Sequence, residues 1–153
     1  MAGKQSATPR PLRESRPRRH FTLSEANRTL PLVRRIVSDI VRAHSGAADL
    51  QAKLEELKGA PDAALHRMAQ KDLEEAVSRL GRYVDELEEV GCSLKDSQMG
   101  LIDFPGRHQG REVCLCWMLG EEEIAYWHEV RTGFSGRQPI ATLQEAPTRA
   151  HAE

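Results

Sequence analysis

Two long stretches of the chain place apolar residues at helical spacing. Between about 31 and 58, and again between about 62 and 90, apolar side chains recur three or four positions apart, which puts one apolar stripe on one face of each helix. The segment Gly59–Asp62 interrupts the pattern, because glycine suits a helix end and proline cannot continue a helix. Gly91 ends the second stretch. We therefore expect two long helices that form an antiparallel hairpin.

A shorter helix is predicted ahead of this hairpin. Thr22 and Glu25 have the form of a capping box, in which each side chain accepts a hydrogen bond from the backbone of the other residue. The helix should reach about Thr29. Pro31 has no N–H to donate and disfavours helical conformation in the residue before it, so we expect it to open the next helix.

The apolar period changes after Gly91. Runs rich in strand-forming residues cover 100–104, 111–118 and 124–130, and glycine-containing turns separate them. They predict a three-stranded antiparallel sheet and hence an α+β fold, with a glycine-rich loop at 131–140. Alternation puts Val113, Leu115 and Trp117 on one face of the second strand, and Cys114, Cys116 and Met118 on the other. We expect the helical hairpin to cover one face of the sheet, and loops or a second copy to cover the other.

Composition bounds the domain organisation. The 153 residues are 39% hydrophobic and 29% charged, and no apolar run approaches the ~20 residues that span a bilayer. Residues 1–20 carry six basic side chains and one carboxylate, with three prolines, which predicts a disordered basic arm. A single domain is expected at 21–140 and a flexible tail at 141–153. An odd number of cysteines, two of them only two positions apart, favours a reducing, cytoplasmic setting without membrane association.

Several short motifs resemble one protein family. Near the start they are His20–Asn27 and Leu30–Leu32, and in the second half they are Leu94–Asp96, Gly100–Pro105, Gly110–Val113, Leu115–Trp117, Gly120–Glu121, Trp127–His128, Gly133–Phe134 and Gly136–Pro139. This pattern resembles the bacterial family of uncharacterised proteins called domain of unknown function 2203, over about residues 20–140. The resemblance implies one small cytoplasmic domain. It implies no activity, cofactor or catalytic residue, and Cys92 and Cys114 are not among the matching features.

Acid–base chemistry is the first functional hypothesis for the second half. Histidine as a residue type titrates near neutrality, so His128 could act as a general base with a carboxylate partner, for which Asp96 and Asp103 are candidates. Cys116 could be a nucleophile if the strand register places it on the same face as His128. The alternative is a histidine that hydrogen-bonds to backbone and anchors the sheet.

A metal site is the second hypothesis. Cys114, Cys116 and His128 are suitable donors on neighbouring strands, with Cys92, His108 and Asp103 available nearby. However, no Cys-x-x-Cys pair occurs, and a Cys-x-Cys pair on one strand lies about 7 Å apart at the backbone. Isolated cysteines are more often small buried apolar groups. We therefore assign no metal ligand from the sequence, and the cofactor stays unknown.

Ligand binding is the third hypothesis. Arg111 and Arg137 lie among glycines, and Lys95 is near, so these cations could hold a phosphate or carboxylate. No Gly-x-Gly-x-x-Gly or Walker pattern is present, so a nucleotide fingerprint is excluded. The alternative is that the arginines pair with neighbouring glutamates. Trp117 and Trp127 could form a binding platform, although scarce aromatic residues more often belong to the core.

The sequence thus favours a small cytoplasmic binding or interaction module, with an unknown small ligand or protein as partner and a possible homodimer. An enzyme that uses the 95–137 segment, with or without a metal, is the alternative. A nucleic-acid-associated protein is a further alternative, but no aromatic side chain interleaves the charges of the arm, so we interpret the arm as a solubilising one.

Overall fold

The computed structural model of the chain describes residues 19–145. Two helices, α1 (Leu23–Leu57) and α2 (Ala63–Val90), precede five strands: β1 (Ser93–Asp96), β2 (Leu101–His108), β3 (Arg111–Met118), β4 (Tyr126–Glu129) and β5 (Gln138–Pro139). The strands form one antiparallel sheet in chain order. The predicted α+β fold with a helical hairpin is confirmed. Most of the predicted arm (1–18) and part of the predicted tail (146–153) lie outside the described residues.

The first helix begins where the capping box predicts. The Thr22 hydroxyl accepts a hydrogen bond from the Glu25 backbone N–H, and the Glu25 carboxylate accepts one from the Thr22 backbone, both at 3.1 Å. The prediction of a separate short helix was wrong, because α1 continues through Pro31 to Leu57. Leu30 and Val33, on either side of the proline, are buried in the same core. Their burial favours one continuous helix enough to tolerate the backbone hydrogen bond that proline loses.

Two residues fix the ends of the second helix. The Asp62 carboxylate caps the first turn of α2 by accepting from the backbone N–H groups of Ala64 and Leu65. At the other end Gly91 has a φ of +115°, and its N–H donates to the Leu87 and Glu88 carbonyls. This left-handed ending turns the chain out of the hairpin and into β1.

The sheet has five strands, so the expectation of three was wrong in number. The predicted strands correspond to β2, β3 and β4, and the two additional strands lie at the edges. β1 has four residues and a register irregularity between Leu94 and Asp96, and β5 has two residues. Neither segment contains a β-branched or aromatic residue from which a strand would be predicted, whereas β4, also four residues long, contains Tyr126 and Trp127.

The core lies between α1, the C-terminal half of α2 and one face of the sheet. Val113, Leu115 and Trp117 point into it, as the alternation of β3 predicts. No helix among residues 19–145 is both long and apolar enough to cross a membrane. The opposite face carries the buried polar side chains Asp103 and His128 together with the cysteines of β3.

The chain remains hydrogen-bonded beyond residue 140, where the flexible tail was predicted to begin. A 3-10 helix spans Ile140–Thr142, and the Gln109 N–H donates to the Gln144 carbonyl at 2.8 Å. The Gln144 N–H in turn donates to Nδ1 of His108, and the Leu23 N–H donates to the Glu145 carboxylate. Residues 141–145 therefore pack against the start of α1 and the β2–β3 turn.

Candidate functional site

A cleft of about 810 Å³ opens on the face of the sheet that turns away from the helices. Its walls are the C-terminal end of α2, strand β1 and the loop that contains Gly133 and Phe134, and its floor is formed by β2, β3 and β4. The polar and charged side chains that line it are Arg19, Glu88, Glu89, Ser93, Lys95, Asp103, Glu112, Cys114 and His128.

A histidine–aspartate pair forms the floor of the cleft. Nε2 of His128 lies 3.0 Å from Oδ1 of Asp103, and the two side chains are only 3% and 7% exposed. Asp103 is on β2 and His128 is on β4, so β3 runs between them. Cys116 lies opposite Asp103 and Cys114 lies opposite His128 in the register of the sheet. The strand pairing therefore brings together the groups that the sequence could only place near one another.

Both ring nitrogens of His128 are already engaged within the protein. Nδ1 lies 2.7 Å from the backbone carbonyl of Glu129, which can only accept a hydrogen bond, so Nδ1 carries a proton. Nε2 faces the Asp103 carboxylate. A general base must reach the proton that it removes, so this arrangement favours a binding or positioning role for His128 over proton abstraction.

Cys114 completes the group at the floor. Its sulfur, one oxygen of Asp103 and one nitrogen of His128 all lie within 4.8 Å of one another. Burial, and then the charge of Asp103, raise the pKa of the Cys114 thiol to about 11, while Lys95 acts in the opposite direction. Cys92, which also lines the cleft, has a pKa raised to about 12 by burial alone.

Cys116 lies beside this group but belongs to a different set of contacts. Nε of Arg137 donates to its sulfur at 3.3 Å, and Nη2 of Arg137 donates to the Glu121 carboxylate at 2.7 Å. Burial raises the pKa of the Cys116 thiol to about 12, with the Asp103 charge acting in the same direction and Arg137 against it. A thiol that stays protonated at neutral pH is a poor nucleophile. The set of contacts therefore favours a structural role, in which Arg137 ties the 131–137 loop to β3.

Six of the nine predicted site residues do not line the cleft. Two of them, Cys116 and Arg137, hold the 131–137 loop, and four others lie elsewhere. Asp96 accepts from the N–H groups of Gln98 and Met99, and thereby forms the β1–β2 turn. Arg111 pairs with Glu129 at the far end of β3. Both tryptophans are core residues on the helix side: Trp117 donates to the Glu121 carbonyl, and Trp127 donates to the Thr142 hydroxyl. The structure does not bring these four residues to the cleft, whereas Lys95, Asp103 and His128 do line it.

The position of Cys114 next to Asp103 and His128 is the feature of the site that is hardest to predict from the sequence. A cysteine in an apolar strand is usually a small buried group, and nothing nearby distinguishes it from Cys116. The distinguishing fact is that Cys114 lies opposite His128 and that Cys116 lies opposite Tyr126. The signal that could have found it is the length of the 119–125 connection, which fixes the pairing of β3 with β4.

One known protein family matches the part of the chain that contains the helices, the sheet and the cleft. A family described as "Uncharacterized conserved protein (DUF2203)" matches residues 19–140, which include both helices and all five strands. The chain belongs to the DUF2203 family. No curated protein and no solved structure matches it. The cleft and its floor lie within the part of the chain that the DUF2203 match spans.

Proposed function

We propose that this DUF2203 protein is a small ligand-binding module and that the cleft on the open face of its sheet is the site. The observation that carries the proposal is the buried Asp103–His128 pair at the floor of a cleft of about 810 Å³. Burying polar and ionisable groups costs folding free energy, and such groups gather at functional sites. Concave sites with a few convergent polar groups are the usual form of small-molecule sites.

Lys95 is the group through which we expect the site to hold an anion. The described residues that line the cleft also include Arg19 and the carboxylates of Glu88, Glu89, Asp103 and Glu112, and Lys95 forms no ion pair with a carboxylate among residues 19–145. A lysine ammonium is a compact charge that suits a carboxylate or phosphate group. We therefore expect a small anionic ligand, held by Lys95 at the wall and by the polar groups of β2 and β4 at the floor.

The cellular setting is part of the same proposal. We place the module in the cytoplasm, which its three free cysteines support, since thiols persist in a reducing compartment. We also propose that two copies associate. The support is the exposure of apolar side chains on α2, among them Leu65, Met68 and Val77. Sedimentation velocity of the full chain measures this directly, and a monomer at all concentrations would contradict it.

The binding proposal is tested by nuclear magnetic resonance on the full chain labelled with ¹⁵N. The probes are acetate, citrate, inorganic phosphate and glycerol phosphate, each titrated separately. We expect at least one of them to shift amide signals of β1–β4 and of residues 131–137 selectively. Lys95→Gln should weaken that binding by roughly tenfold, about the loss of one charge-assisted contact.

Lys71→Gln is the matched control. Lys71 is an exposed lysine on α2 and lies far along the hairpin from the sheet, so its replacement removes the same charge without touching the cleft. Binding should be unchanged in this variant. If no probe shifts the sheet signals, or if both lysine variants weaken binding equally, the cleft is not the site of a small anion and the proposal fails.

A further inference from the structure

The close contact between Nε2 of His128 and Oδ1 of Asp103 requires a proton or a cation between these two atoms. Nδ1 of His128 holds its proton against the Glu129 carbonyl, so the neutral ring presents a lone pair at Nε2. That lone pair faces Oδ1 of Asp103, another acceptor, at 3.0 Å in a nearly buried position. Two facing acceptors repel one another unless a proton or a metal cation lies between them.

A third donor for a metal ion, the Cys114 sulfur, lies beside this contact. We infer that Asp103, Cys114 and His128 bind one divalent transition-metal ion at the floor of the cleft. The three donor atoms already lie within 4.8 Å of one another, on three consecutive strands of the sheet. In histidine metal ligands, the N–H of the second ring nitrogen commonly donates a hydrogen bond to a backbone carbonyl, which fixes the orientation and the tautomer of the ring. The contact of Nδ1 with Glu129 has this form.

The separation of 3.0 Å between Nε2 of His128 and Oδ1 of Asp103 suits zinc. Zinc binds histidine nitrogen and carboxylate oxygen at about 2.0–2.2 Å. If Nε2 and Oδ1 kept their present separation and both bound one ion, the N–Zn–O angle would be about 90°. A small opening of that angle gives a tetrahedral arrangement. One nitrogen, one oxygen and one sulfur form a donor set that favours zinc and its transition-metal neighbours over magnesium or calcium, which take oxygen ligands.

Three protein ligands leave one position open, and the cleft lies beside it. Sites that bind zinc through three protein ligands keep the fourth position for water or for a ligand. An anion in that position would meet the metal ion, with the Lys95 ammonium at the wall of the same cleft. The inference rests on the proposed function for this open position, and it names the metal ion as the group through which the small anion is held.

The test uses the full chain, produced without a polyhistidine tag and stripped with a chelator. Titration with Co²⁺ should give the visible absorption of a tetrahedral ion and a near-ultraviolet band from a thiolate ligand, both reaching a plateau at one equivalent. Zn²⁺ should displace Co²⁺ and abolish both signals. Cys114→Ser should remove the thiolate band and weaken Zn²⁺ binding by roughly tenfold or more, since a metal ligand is lost.

Cys92→Ser is the matched control, because Cys92 is a free cysteine that lines the same cleft but is not in the donor group. It should leave the Co²⁺ spectrum unchanged. Asp103→Asn, checked for folding by circular dichroism, should weaken binding as well. A folded wild-type chain that gives no Co²⁺ spectrum, or a thiolate band that persists in Cys114→Ser, overturns the inference and leaves a proton between Asp103 and His128.

The two proposals fail differently. If the metal inference is wrong but the anion site exists, the probe anions shift the sheet signals equally in the stripped chain and in the chain given Zn²⁺. If the ion binds but no anion shifts the sheet signals with or without Zn²⁺, the metal site stands and the ligand-binding proposal falls. Anion binding that requires Zn²⁺ supports both.

Discussion

The side chain of Asn27 in α1 accepts a hydrogen bond from the backbone N–H of Ile124 at 2.9 Å, across 97 positions of sequence. Ile124 is buried in the connection between β3 and β4, and its packing against the core fixes where β4 begins. One polar side chain of the first helix thus holds the segment that leads directly to His128.

Asn27→Ala should destabilise the fold. The change leaves a part-buried backbone N–H without its partner, which costs about 1–3 kcal/mol of the free energy of unfolding. Urea denaturation followed by circular dichroism measures it. Arg28→Ala, an exposed neighbour on the same helix, is the control and should change stability by no more than about 0.5 kcal/mol. Equal effects of the two variants would show that the hydrogen bond contributes nothing.

Gly81 within α2 and Gly91 directly after it should respond to alanine in opposite ways. At Gly91 the backbone has a φ of +115°, and an added Cβ would lie 2.8 Å from Cζ of Phe21, so Gly91→Ala should cost about 1–2 kcal/mol. At Gly81 nothing lies within 4 Å of an added Cβ, so Gly81→Ala should stabilise the helix by about 0.5–1 kcal/mol. Thermal unfolding of both variants checks the signs, and a stabilising Gly91→Ala would contradict the left-handed ending of α2.

The capping box should make part of the stability depend on pH. The backbone N–H and the hydroxyl of Thr22 stabilise the charged form of Glu25 and hold the pKa of its carboxyl below its ordinary value. Because the folded pKa is the lower one, this contribution is complete above the ordinary pKa of glutamate. It is lost as the pH falls through that value to the folded pKa.

Comparison with Glu25→Gln isolates this effect. The difference in unfolding free energy between wild type and variant should be constant near neutral pH and shrink as the solution becomes more acid. Denaturation at several pH values down to the acid limit of the folded state measures it. A difference that grows on acidification would mean that the Glu25 carboxylate is not stabilised by the cap.

Arg137→Lys should loosen the loop over the open face of the sheet. The guanidinium is only 12% exposed and lies 4.3 Å from the ring centroid of Tyr126 and 4.9 Å from that of Phe134 while it bonds Glu121. Lysine keeps the charge but loses the planar fork that makes these contacts together. Amides of residues 131–137 should then exchange with deuterium faster, while those of α1 stay unchanged. Arg131→Lys, an exposed change in the same loop, should leave exchange as it is in the wild type.

The sequence predicts the hairpin because its two helices are long enough to repeat their apolar period, and it predicts the three central strands because each contains β-branched or aromatic residues. It fails at Pro31, since proline is a reliable helix breaker only when no tertiary burial spans it, and Leu30 and Val33 supply that burial. It also fails at β1 and β5, which depend on pairing with a neighbour and not on an apolar pattern of their own.

The candidate site was predictable only in part. Asp103, His128 and Lys95 could be named because their residue types carry chemistry, and the structure brings all three to one cleft. The sequence does not show whether Cys114 or Cys116 lies opposite His128, because that depends on the register in which β3 and β4 pair. Trp117 and Trp127 could be named as a binding platform by residue type, but the scarcity of aromatic residues favoured the core, and the core holds both.

Asp103, Cys114 and His128 come from β2, β3 and β4, one from each strand. A displacement of β4 by a single residue would turn His128 toward the helices and put Trp127 on the open side, since neighbouring side chains point to opposite faces. The three groups thus meet only in a correctly aligned sheet. Any ion or ligand that binds all three groups would selectively stabilise chains whose three central strands pair in the native register, and it would not stabilise chains with a shifted register.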